Sequence, residues 1–145
     1  MAPDRLRPAV ALAAFTLLVW TTRIRNIWTD DSLTTAGQVG RTALALVFTA
    51  FAAVTIAAWV HGRRHGGSSL PRAATWVRAF AIWTTGVWVL RGAQIALDDH
   101  SPAFVAVHTA LAIVSIALAW WADRAATRGR QRPRPEGRGL HEPVA

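Results

Sequence analysis

Four apolar runs divide this chain, Pro8 to Trp28, Arg41 to Val60, Ala73 to Leu97 and Ala103 to Ala122, with only short polar connections between them. At about 1.5 Å of rise per residue, a helix over each is long enough to cross a hydrocarbon layer of roughly 30 Å. Within lipid the backbone must satisfy its own N–H and C=O groups, and helices do this one segment at a time. The sequence therefore predicts an all-α fold, a four-helix transmembrane bundle over residues 1–124. A hydrophobic share of 52% and eight Trp in 145 residues exceed what a soluble domain of this size needs to fill its core. Arg5 and Arg7 ahead of the first run resemble the start of a secretory leader, but Thr21-Thr22-Arg23-Ile24-Arg25 offers no small-residue cleavage site, so an uncleaved helix is expected.

The chain also repeats itself. At an offset of 68, Ala11, Thr16, Trp20, Arg23, Ile27, Asp30 and Asp31 meet Ala79, Thr84, Trp88, Arg91, Ile95, Asp98 and Asp99. One residue is then lost in the connection, and Arg41-Thr-Ala-Leu-Ala45 faces His108-Thr-Ala-Leu-Ala112. Matches among Ala are expected of any two membrane helices, whereas Arg in such a helix costs roughly 2.5 kcal/mol or more to insert. Recurrence of Trp, Arg and an Asp pair at unchanged spacing points to one helical hairpin used twice. Thr16, Trp20, Arg23, Ile27 and Asp30 step by four, three, four and three residues, the interval of a single helical face, so the shared face should point inward. Two tandem hairpins of like orientation should be related by a pseudo-twofold axis along the membrane normal, with the first and third helices facing across it.

Charge sets the expected orientation. Arg5, Arg7, Arg63, Arg64, Arg72 and a basic tail beginning at Arg124 alternate with two loops that hold Asp30, Asp31, Asp98 and Asp99 and no Arg. By the positive-inside rule both termini and the middle segment are cytoplasmic and the acidic loops face outward. All sixteen basic residues are Arg, the bias of a GC-rich bacterial genome, so a bacterial plasma membrane is the expected location. The net charge of +8 is thereby assigned to topology rather than to nucleic acid. Residues 61–71, with Gly66-Gly67 and Ser68-Ser69, read as a flexible joint, and residues 125–145 as a disordered basic tail. Ser101-Pro102 has the chemistry of a helix start, Ser as cap and Pro at the first position.

The candidate site follows from the polar residues of the repeat. Arg23 and Arg91 precede Asp30 and Asp98 by seven residues, about 10 Å deeper along a helix. With Gln94 and Arg25 they could line an electropositive pocket, open outward, for a carboxylate, phosphate or anionic headgroup. The competing structural reading has each Arg snorkel to the outer headgroups or pair with an Asp of the other repeat. Asp30, Asp31, Asp98 and Asp99 end their helices, where the dipole disfavours negative charge, so Arg41, His108 or the Arg pair should compensate them. His108 is the one His well inside a predicted helix and takes the place of Arg41 in the second repeat; beside carboxylates it is either a satisfied core imidazole or a proton relay. Trp20 and Trp88, three residues before each Arg, are expected to offer an indole face to a guanidinium. Trp28, Trp59, Trp76, Trp120 and Trp121 fall near helix ends, as interfacial belts do.

Much chemistry is excluded or left without support. With no Cys there are no disulfides, thiolate nucleophiles, Fe–S clusters or Cys-based zinc sites. No phosphate-binding Gly loop, dinucleotide fingerprint or metalloprotease His-Glu motif is present. No metal or cofactor is expected, and His61, His65 and His100 lie at helix ends where they do not suit axial haem ligation. Three functions remain: a membrane binding or accessory protein using the Arg/Asp/His cluster, a small oligomeric transporter or channel for an anion or proton, and an intramembrane enzyme with Asp98, Asp99 and His108 in acid or base roles. Small residues Ala43, Ala50, Ala53 and Ala57 would admit a membrane-protein partner or a second copy, and Thr16, Thr49, Thr55, Thr84 and Thr85 are the polar groups at depth.

Overall fold

The computed structural model describes residues 6–31, 33–65 and 73–128, and among these the chain is all-helical with no strand. Four helices follow one another: α1 (Arg7–Trp28), α2 (Thr35–His65), α3 (Ala73–Leu97) and α4 (Pro102–Thr127). The Gly66-Gly67-Ser68-Ser69 joint and the tail beyond Arg128 lie outside the described residues.

Three boundaries differ from those the apolar runs suggest, each for a local reason. α2 starts at Thr35, within the stretch read as loop, because Thr34 caps it: its Oγ1 accepts from Gly37 N at 3.2 Å and its carbonyl from Gln38 N at 2.9 Å. The same helix continues to His65, where His65 Nδ1 donates to the His61 carbonyl at 3.1 Å and the two rings stack. α4 runs past Ala122 and past residue 124 to Thr127, whose Oγ1 returns to the Asp123 carbonyl at 2.9 Å while Ala126 is buried. The start of α4 is as the sequence predicts, with Ser101 Oγ accepting from Phe104 N at 3.3 Å.

Side-chain size decides how the helices approach. α1 lies along α2 and α3 along α4, and α1 also packs closely against α4. Ala9 and Ala13 of α1 and Ala119, Ala122 and Ala126 of α4 are all buried in the core, and such small residues let two backbones come near. α2 and α3 come near each other at few points, because rings fill the space between them. Phe51 stacks on Phe80 at 5.1 Å and meets Trp76 at 4.8 Å, Phe48 reaches Trp83 at 6.1 Å, and Trp76 Nε1 donates to Thr55 Oγ1 at 3.3 Å. The two contacts between hairpins are therefore unequal, α1 lying close to α4 while aromatic rings hold α2 and α3 apart.

Outside the core, many large apolar side chains are exposed. Leu46, Ile82, Val89 and Ile113 are more than half exposed, as are Leu18, Leu90 and Val107. The helices Thr35–His65 and Pro102–Thr127 are long and apolar enough to cross a membrane. α1 and α3 are as long as a span requires but carry Arg23 and Arg25, and Arg78 and Arg91, within them.

Candidate functional site

At the end of the bundle where both hairpins turn, the helices part around a cavity of about 850 Å³. Trp20, Arg23 and Asn26 of α1, Arg41 of α2, Trp88, Arg91 and Gln94 of α3 with Asp98 just beyond, and His108 of α4 all line it. Residues that the sequence places far apart, and that the repeat singles out, thus share one wall. Below them the lining is apolar, from Phe15, Leu18, Leu44, Val87, Leu90 and Leu111.

The centre of the site is a bond between α1 and α4. Arg23 Nη1 lies 3.0 Å from His108 Nε2, and His108 Nδ1 lies 2.9 Å from the Phe104 carbonyl. A carbonyl only accepts and a guanidinium only donates, so the pair of contacts assigns the proton to Nδ1 and leaves Nε2 as acceptor. His108 is buried and its ring lies 3.9 Å from that of Phe104, which in turn lies 4.4 Å from His100. This column of rings, one helical turn apart, holds the imidazole and through it the guanidinium. Arg91, on the opposing helix, donates from Nη1 to Gln94 Oε1 at 3.3 Å, while its buried Nε has no partner.

Several expectations are corrected here. Trp20 turns its ring not to Arg23 but to Phe48, stacked at 4.4 Å, and the cation–π contact among the described residues is Arg63 over Trp59 at 5.0 Å. The reason is geometric: residues three apart on a helix share a face, but a flat indole on the core side packs best against a ring of the neighbouring helix. Among the described residues, the side-chain partners of Arg23 and Arg91 are His108 and Gln94. Asp98 lines the cavity, whereas Asp31 and Asp99 are exposed and, like Asp30, do not line it. His108 accordingly has a guanidinium, not a carboxylate, as its side-chain hydrogen-bond partner.

One polar contact escaped the sequence. Arg78 Nε donates to Asp123 Oδ1 at 3.1 Å and Arg78 Nη2 to Oδ2 at 3.4 Å, pinning α3 to α4 at the other end of the bundle. Asp123 is only 4% exposed. The sequence signal for it is a single acid within the apolar end of α4, which has no counterpart at the matching position of the first hairpin.

Among the described residues no three His, Asp or Glu side chains converge as a metal site. Comparison with family models, with curated proteins and with solved structures finds no match to this chain, so the geometry alone carries the functional reading.

Proposed function

We propose that this chain is a small integral protein of a bacterial plasma membrane that binds an anionic ligand in an outward-facing cavity, as a binding or accessory subunit. On this reading all four helices span, both termini are cytoplasmic, and the two hairpins are tandem copies about a pseudo-twofold axis. Support for the copies comes from Trp20 with Trp88 and Arg23 with Arg91, which line one cavity from opposite hairpins. On this reading the unequal spacing of the two inter-hairpin contacts reflects divergence between the copies.

A single observation carries the functional reading. Three guanidinium groups, Arg23, Arg41 and Arg91, surround the cavity against one carboxylate, Asp98. Charges in a partly apolar site repel strongly unless something neutralises them. That no carboxylate pairs with any of these Arg among the described residues, and that the buried Arg91 Nε has no protein acceptor, supports an anionic ligand. The test is binding of an anionic ligand to wild type and to the double variant Arg23→Ala, Arg91→Ala. Loss of binding with insertion into the membrane retained is expected; equal loss of folded protein would return the pair to a structural role.

A transporter reading fares less well. Phe48 and Phe80 are fully buried in the core, as are Leu12 and Val77, and such large apolar side chains argue against a polar route through one subunit. Absence of proton or anion flux from reconstituted protein is the expected outcome.

A further inference from the structure

We propose that the ligand is a lipid carrying a phosphate monoester, its head among Arg23, Arg41 and Arg91 and its chain along the apolar wall beneath; this rests on the anion-binding reading above. Volume is the first argument. A water occupies about 30 Å³ of liquid, so a cavity of about 850 Å³ is far larger than a phosphate or carboxylate group needs. A small anion alone would leave Phe15, Leu44, Val87 and Leu111 facing water, a loss that a hydrocarbon chain avoids.

Access is the second argument. Leu18, Leu90 and Val107 line the cavity and are also 65, 62 and 57% exposed, so the wall is open at its side as well as toward the hairpin turns. In a bilayer such an opening meets hydrocarbon, the route by which a lipid enters with its chain still in the membrane.

Charge is the third. Three Arg against Asp98 leave an excess of two positive charges, counting His108 as neutral because its Nε2 accepts from Arg23. A phosphate monoester carries about −1.5 to −2 at neutral pH, and its three terminal oxygens accept several bonds at once. Each guanidinium has five N–H groups; Arg23 and Arg91 each spend one in the protein, and Arg91 Nε is already buried without an acceptor. A carboxylate or phosphodiester, with one charge, balances half of the excess.

The experiment uses the full chain in phosphatidylcholine nanodiscs, with retained adducts read by native mass spectrometry. Hexadecyl phosphate should bind at least about tenfold more tightly than hexadecanol, which keeps the chain, or inorganic phosphate, which keeps the head. Arg41→Gln, at an exposed position, should weaken it without loss of folded protein, and Arg23→Gln with Arg91→Gln should abolish it. If inorganic phosphate binds as well as hexadecyl phosphate, the lipid inference fails and the anion-binding reading survives. If hexadecanol binds equally, or nothing binds, both fail. Hexadecyl sulfate, a monoanion of the same chain, binding as tightly as the phosphate would overturn the assignment to a phosphate monoester.

Discussion

The Arg23–His108 bond shows how one side chain is set by another. A neutral imidazole fixed through Nδ1 to the Phe104 carbonyl presents Nε2 at 3.0 Å to Arg23, and so holds the guanidinium in one orientation. Hydrogen bonds to charged groups are worth about 1.5–3 kcal/mol, so His108→Ala should weaken binding of the anion about tenfold or more, with His108→Gln, whose amide oxygen also accepts, recovering part of the loss. Titration of hexadecyl phosphate against both variants checks this. The Arg78–Asp123 pair makes a different prediction, because its two members are unequally placed: Asp123 is buried and Arg78 is 58% exposed. Arg78→Ala strands a buried carboxylate, whereas Asp123→Ala leaves the cation in contact with its surroundings and places a small residue among Ala119, Ala122 and Ala126. Thermal unfolding in detergent should therefore rank the Arg78→Ala variant below the double variant lacking both groups.

Helix pairs in this bundle differ by what separates them. Ala13 is fully buried in the core, so Ala13→Leu should overpack it at a cost of about 1–3 kcal/mol, while Ala53→Leu on the exposed face of α2 should cost little. Where α2 meets α3 the rings are the contact itself. Phe51→Ala removes a side chain packed on both Phe80 and Trp76, and a loss of roughly 3 kcal/mol or less is expected, since in lipid the cavity term remains while the transfer term falls away. Unfolding of the variants in mixed micelles would rank them. These distinctions were partly legible beforehand: of Thr16, Trp20, Arg23, Ile27 and Asp30, whose period was read as the inward face of α1, Thr16, Trp20 and Ile27 are buried and Arg23 and Asp30 half-buried. Which helix that face would meet was not, because Ala and Phe are equally apolar and only their sizes set the distance between backbones.

For the molecule as a whole, orientation is the next quantity to test, and the absence of Cys makes the test clean. A single cysteine at Leu33 or Asp99 should react with an impermeant maleimide added outside intact cells, and one at His65 should react only after the membrane is opened. The reverse pattern would invert the proposed cavity. The sequence by itself determined that the fold is helical, where the four helices lie to within a few residues, and that Trp20, Arg23, Trp88, Arg91 and His108 are its unusual members. It could do so because helix length and the period of one face are local properties, set by neighbours three and four residues away. Only the tertiary structure decided that Arg23 bonds His108 rather than an aspartate, that Trp20 stacks on Phe48, and that Arg78 meets Asp123. Those partners lie on other helices, and their choice depends on rotation and separation of whole helices, which the size of distant side chains sets and no local spacing records.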